Sequence, residues 1–121
     1  MTYESSILIE SQIEAGLTYK VAKMSFARRM DLMRRVRELA RRAEFLEAGS
    51  RPGDKMDAAI LQAEIDKLYI IWGLLEVSGL ELDGCPATPA ALADSGPENV
   101  FREALAAVRS ETGLNAAERK N

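Results

Sequence analysis

Leu17-Thr18-Tyr19-Lys20-Val21-Ala22-Lys23-Met24-Ser25-Phe26 is the stretch on which the fold turns, because the hydrophobic period changes inside it. Up to Met24 apolar and polar residues alternate. Tyr19 and Val21 fall on one side and Thr18 and Lys20 on the other, as in a half-buried strand. From Phe26 the apolar residues recur at spacings of three and four: Phe26, Met30, Met33, Val36, Ala40, Ala43 and Leu46. That spacing marks one face of an α-helix of about six turns, and Ser25 at the junction is a suitable N-cap. Upstream, Ser6-Ile7-Leu8-Ile9-Glu10 has the same strand character, and Glu14-Ala15-Gly16 offers a turn between the two. The expected N-terminus is a β-hairpin running straight into an amphipathic helix.

Downstream, Ser50-Arg51-Pro52-Gly53 breaks the helix, and Asp54 is placed to cap a second one with Asp57 in its first turn. Met56, Ala59, Ile60, Ala63 and Leu68 form its stripe. Leu68-Tyr69-Ile70-Ile71-Trp72-Gly73-Leu74-Leu75 is then apolar all the way round, so it must be covered on every side. Two arrangements achieve that: a central position in the chain's own fold, or burial against another chain. On the second, Leu68, Tyr69, Ile70, Trp72 and Leu75 are the candidate protein interface, with the aromatic residues as anchors. Gly79 supplies the helix stop. Residues 80–82 read as a short strand placed to join the hairpin as a third strand, which a two-stranded sheet needs for stability. Thr88-Pro89 opens a short helix through Ala93. Val100, Phe101, Leu105 and Val108 mark a third main helix ending at Gly113, and Asn115 with Glu118 signals one last turn. The expected fold is α+β and mostly α-helical, a single domain over residues 1–121 in which the hairpin packs with three main helices.

Composition narrows the chemistry. The 121 residues are 47% hydrophobic and 29% charged, enough for a core without a metal or disulfide. There is no histidine, which removes serine–histidine and cysteine–histidine catalysis and histidine-ligated zinc. The single cysteine, Cys85, sits in Gly84-Cys85-Pro86 beside Glu81 and Asp83, whose charges oppose a thiolate. Glu64 and Asp66 diverge on a helix, Asp54 and Asp57 are capping residues, and the glycines are scattered at turns. The expectation is a protein without catalytic residues, cofactor or metal. Met1-Thr2-Tyr3-Glu4 lacks the basic region of a signal peptide, and the longest apolar run is far short of a bilayer span. A cytoplasmic protein with no membrane association is expected.

Charge is segregated beneath a net value of −3. Residues 20–42 hold nine Lys/Arg against two acids, while residues 43–121 hold seven against fourteen. The basic segment therefore faces something acidic, within the fold or on a partner. Arg34, Arg35, Arg37, Arg41 and Arg42 form its candidate basic face. A nucleic-acid surface would add an overall basic balance or stacking aromatics, whereas the isoelectric point is about 5.1. A solvated face pairing with acids such as Glu38 and Glu44 is the alternative.

Four stretches together resemble a known family: the hairpin-to-helix passage from Tyr19 to Phe26; Leu68-Tyr69-Ile70-Ile71-Trp72-Gly73-Leu74; Gly79-Leu80-Glu81-Leu82-Asp83-Gly84-Cys85-Pro86-Ala87-Thr88; and the tail Gly113-Leu114-Asn115-Ala116-Ala117-Glu118-Arg119-Lys120-Asn121. In that order they resemble the small tail assembly chaperones of tailed phages and prophages, encoded beside the tape-measure protein. The resemblance implies a non-enzymatic protein acting in the cytoplasm of the bacterial host during phage assembly. Such a protein binds the long helical tape-measure protein, or another tail protein, and keeps it soluble while the tail tube assembles. It also implies a homo-oligomer. The alternatives from other classes are a homo-oligomeric structural or adaptor subunit of the virion, and a small nucleic-acid-binding regulator using the arginine-rich helix.

Overall fold

The computed structural model describes residues 1–113. The chain is α+β, as its alternating and helical periods predict. The order is β1 (Ser6–Glu10), β2 (Thr18–Ala22), α1 (Phe26–Glu47), α2 (Asp54–Gly73), β3 (Leu74–Ser78), β4 (Glu81–Leu82), β5 (Cys85–Pro86), α3 (Pro89–Ser95) and α4 (Glu98–Thr112). Its contacts fall into two compact units.

The first unit comprises Met1–Met24 and Tyr69–Gly113. Strands β1, β2 and β3 form an antiparallel sheet in the order β1-β2-β3, with β2 in the centre. Alternation sends Leu17, Tyr19 and Val21 to one face, all buried, together with Leu74 and Val77 of β3. Helix α4 lies against β2 with a buried stripe of Val100, Ala104, Leu105, Val108 and Thr112. Ser25, the residue just after this unit's first segment, caps α1 as expected, its hydroxyl accepting from the Arg28 amide at 3.3 Å. Thr88 likewise caps α3, accepting from the Ala91 amide at 3.1 Å, with Pro89 at the first helical position.

The third strand is not where the sequence placed it. Helix α2 ends at Gly73 rather than Gly79, and Leu74–Ser78 pairs with β2 as β3. Residues 81–82 pair instead with residues 85–86 in a separate two-stranded ladder. Its turn residues Asp83 and Gly84 both have positive φ, 53° and 81°, the geometry of a tight hairpin. Helix and strand follow each other without a loop, and at their junction Gly73 packs against α4, where a Cβ would meet Val108 Cγ1 at 2.5 Å. Gly79, at φ +87°, ends the strand where a Cβ would strike the Gly16 carbonyl oxygen. A register shift between Lys20 and Val21 leaves Leu75 without a ladder partner.

One carboxylate ties α4 to the hairpin. Glu103 Oε1 accepts from Ser11 Oγ at 2.5 Å and from the Tyr19 hydroxyl at 2.6 Å, and Oε2 accepts from the Gln12 amide at 2.7 Å. Ser11 Oγ in turn accepts from the Ile13 and Glu14 amides, each at 3.1 Å, so its one proton is directed to Glu103. Burial alone would raise the Glu103 pKa, but the bonds from Ser11, Tyr19 and the loop amides outweigh it and hold it below the usual range. Tyr19 moves the other way, raised by burial and by its bond to Glu103.

The second unit, among the described residues, is Ser25–Leu68. Its buried positions are Leu32, Val36, Ala40 and Ala43 on α1 and Ala58, Leu61 and Ile65 on α2. The connection over residues 48–53 is short, as between antiparallel neighbouring helices. Asp54 is buried, but it does not cap downstream amides. It accepts from the Arg51 amide at 3.0 Å and pairs with Arg51 Nε at 3.6 Å, closing the loop instead. Both buried stripes are rotated from the expected ones: Phe26, Met30, Met56 and Ile60 are exposed. The last turn expected at Asn115 and Glu118 lies outside the described residues.

The Glu103 cluster carries a pH signature. A depressed folded pKa means that its contribution is full above the unfolded value of about 4.3 and is lost as pH falls through the folded one. The raised pKa of Tyr19 contributes below about pH 10 and is lost as pH rises beyond it. Glu103→Gln should cost about 1–2 kcal/mol at pH 7, given its partial exposure, and should flatten the acid limb of a melting-temperature profile below pH 5. An unchanged acid limb would show that the cluster does not stabilise the fold.

Candidate functional site

Helix α1 is the longest element of the chain, and two of its three longitudinal faces are wet. Successive residues advance about 100° around the axis. At that advance Phe26, Met30, Met33, Arg34, Arg37, Arg41 and Phe45 fall within one sector, centred about 125° from the buried stripe. Phe26 is 82% and Phe45 74% exposed, and Met30 is 43% exposed. Between them Met30, Met33, Arg34, Arg37, Glu38 and Arg41 line a depression of about 370 Å³. Two methionines and three arginines, residue types enriched at protein interfaces, thus line it together with Glu38.

The five arginines singled out from the sequence do not form one face. Arg34, Arg37 and Arg41 share the sector just described. Arg35 and Arg42 lie about 115° further round. Arg35 pairs with Asp31 one turn away, Nε to Oδ1 at 3.2 Å, an exposed pair. Among the described residues no ion pair engages Arg34, Arg37, Arg41 or Arg42, so the expected pairing with Glu38 or Glu44 is not formed. Among the described residues Arg34, Arg37 and Arg41 thus stand beside exposed apolar side chains without an ion pair, although Glu38 lines the same depression.

The interface expected at the end of α2 is corrected by burial. Tyr69 and Ile70 are fully buried, Trp72 is 8% exposed and Leu68 is half-buried. The Arg109 guanidinium of α4 stacks over the Tyr69 ring at 4.9 Å. Of the five residues Leu75 is exposed and Leu68 partly so, and Ile71 beside them is exposed too. Of the two ways to cover an all-round apolar helix turn, the chain uses a central position in its own fold. Other exposed apolar residues lie at Phe26, Met30, Phe45, Met56 and Ile60 on the helices, and at Tyr3, Ile7, Leu8 and Ile13 in and around the N-terminal strand. Phe26 and Met30 were legible in the sequence, but as core.

Among the described residues no group of three or more His, Cys, Asp or Glu is placed to hold a metal ion, and no helix is long and apolar enough to cross a membrane. The chain matches no protein-family model, no curated protein and no solved structure.

The contrast between Trp72 and Phe26 is measurable. Trp72→Ala should cost about 3 kcal/mol or more in urea unfolding, as for a core aromatic residue, while Phe26→Ala should change stability by less than about 0.5 kcal/mol. Equal costs at the two sites would mean that Phe26 is covered in the folded protein.

Proposed function

We propose that this chain is a non-enzymatic binding protein that holds a helical client on the exposed face of α1, and that the client is a tape-measure-like protein of a phage tail. The observation that supports the binding reading is the coincidence of exposed Phe26, Met30 and Phe45 with Arg34, Arg37 and Arg41, which form no ion pair among the described residues, in one sector of one helix. An amphipathic helix with apolar anchors flanked by acids fits that surface in both shape and charge. Methionine at its centre suits a client presenting a succession of similar but unequal helical segments, because the unbranched thioether repacks with little strain. The client's identity, and the bacterial cytoplasm as the place of action, follow the resemblance of the four sequence stretches. The structural-subunit reading differs from this one in the lifetime of the complex. The nucleic-acid reading is weakened by the distribution of arginines, which are split over two faces of the helix, and by the acidic isoelectric point of about 5.1.

The test is co-expression with the long helical tape-measure-like protein of the same genome, scoring its solubility and co-purification. The wild-type chain should bring the client into the soluble fraction. The triple variant Arg34→Glu, Arg37→Glu, Arg41→Glu should keep its own helical circular dichroism and lose at least ~10-fold in recovered complex. Full rescue by the charge-reversed chain would overturn the α1 surface. Tight salt-dependent binding of duplex DNA by the wild type, absent in the variant, would establish the nucleic-acid reading instead.

A further inference from the structure

We propose that the chain self-associates through β1, two copies pairing antiparallel about Leu8 to join their three-stranded sheets into one. This interaction is separate from the α1 surface and does not depend on the client reading.

The starting observation is an edge without protection. β1 is at the border of the sheet, paired with β2 on one side only. Edge strands of soluble proteins are ordinarily blunted by lysine, proline, a bulge or a covering element. Ser6-Ile7-Leu8-Ile9-Glu10 has none of the first three: its register with β2 is unbroken over all five residues. The opposite edge differs, because β3 carries the register shift and lies beside α3. Leu8 is 70% exposed, and Ile7, on the other face of the strand, is exposed too. An apolar strand open on both faces and along its edge needs a partner strand.

The hydrogen-bond parity identifies which groups are free. Lys23 donates its amide to the Ser5 carbonyl at 2.8 Å, and Ser11 donates to the Leu17 carbonyl at 2.9 Å. With the register Ile7↔Val21 and Ile9↔Tyr19 between them, the odd-numbered residues of β1 bond inward to β2. Ser6, Leu8 and Glu10 therefore direct their N–H and C=O groups outward.

Those three positions are symmetric about Leu8, and so is the side-chain pattern. A two-fold axis through Leu8 sets Leu8 against Leu8, Ile7 against Ile9, and Ser6 against Glu10 of the second copy. All outward backbone groups of the strand are then satisfied by about six new hydrogen bonds. Leucine meets leucine on one face and isoleucine meets isoleucine on the other, and no charge opposes a like charge. An unrelated strand could use the same edge, but the palindrome of donors, acceptors and apolar residues makes an identical strand the complementary one, as an isologous interface requires.

Sedimentation at ~100 µM protein, a concentration suited to a small interface, decides the matter. The wild type should run at about twice its 13.3 kDa. Leu8→Lys, which sets two ammonium groups face to face at the axis, should halve the mass with unchanged circular dichroism. Leu8→Pro removes an outward N–H and no β1–β2 bond, so it should do the same. A wild type at monomer mass, or an assembly that survives Leu8→Lys, would overturn the proposal. Because neither variant touches α1, client rescue in the co-expression assay by a monomeric Leu8→Lys chain would leave the α1 reading standing on its own.

Discussion

The hydrogen-bonded Glu103 carboxylate is the constraint from which the first unit is organised. It gathers a side chain of the β1–β2 loop, an amide of the same loop and the phenol of the central strand onto a single residue of α4. A buried tyrosine hydroxyl needs a partner, and here the partner is an anion whose bonds to it are stronger than neutral ones. With Tyr19 fixed, alternation along β2 settles which face of the sheet meets the helix. The other face, and the free edge of β1, are thereby left outside. The exposed strand surface is thus a consequence of how the core is closed.

The features that were legible in the sequence are those governed by local chemistry. The change of period at Met24–Phe26, the caps at Ser25 and Thr88, and Pro89 at the start of α3 are each decided within a few residues. The buried sides of α1 and α2 are decided elsewhere. Both helices carry two apolar rows at helical spacing, and on α1 the rows share Val36, Ala40 and Ala43. They differ in Leu32, which belongs to the buried row, and in Phe26, Met30, Met33 and Leu46, which belong to the row expected from the sequence and of which none is fully buried. Periodicity favours the row with more and bulkier residues, whereas packing selected the other. Strand β3 was hidden for a related reason. Leu74-Leu75-Glu76-Val77-Ser78 continues an apolar helix without a turn signal, and only pairing with distant β2 reveals it as a strand. Glu103 lies 92 residues from Ser11 along the chain and gave no local sign of its role.

The proposed binding surface lies away from the apolar run. The apolar run ending α2 drew attention because it lacks a polar side, and the fold absorbs it: Tyr69, Ile70 and Trp72 are buried, with Arg109 stacked on the tyrosine. Two of the exposed surfaces carry the proposed interactions. The α1 sector combines flexible apolar groups with arginines that form no ion pair among the described residues, the chemistry proposed to recognise an acidic amphipathic helix. The β1 edge offers backbone groups in a self-complementary array, suited to recognition of an identical strand. In the proposed dimer the two α1 surfaces would engage a long repetitive client together, the second at high effective concentration.

The most direct test of the central claim follows the methionine methyl groups by NMR while an acidic amphipathic helical peptide is added. Met30 and Met33 belong to the α1 sector, whereas Met24 lies in the first unit and Met56 on the outward side of α2. The account predicts that the Met30 and Met33 resonances shift with the peptide and return in high salt, while Met24 and Met56 stay in place. Shifts confined to Met24 or Met56, or no shift at saturating peptide, would contradict it.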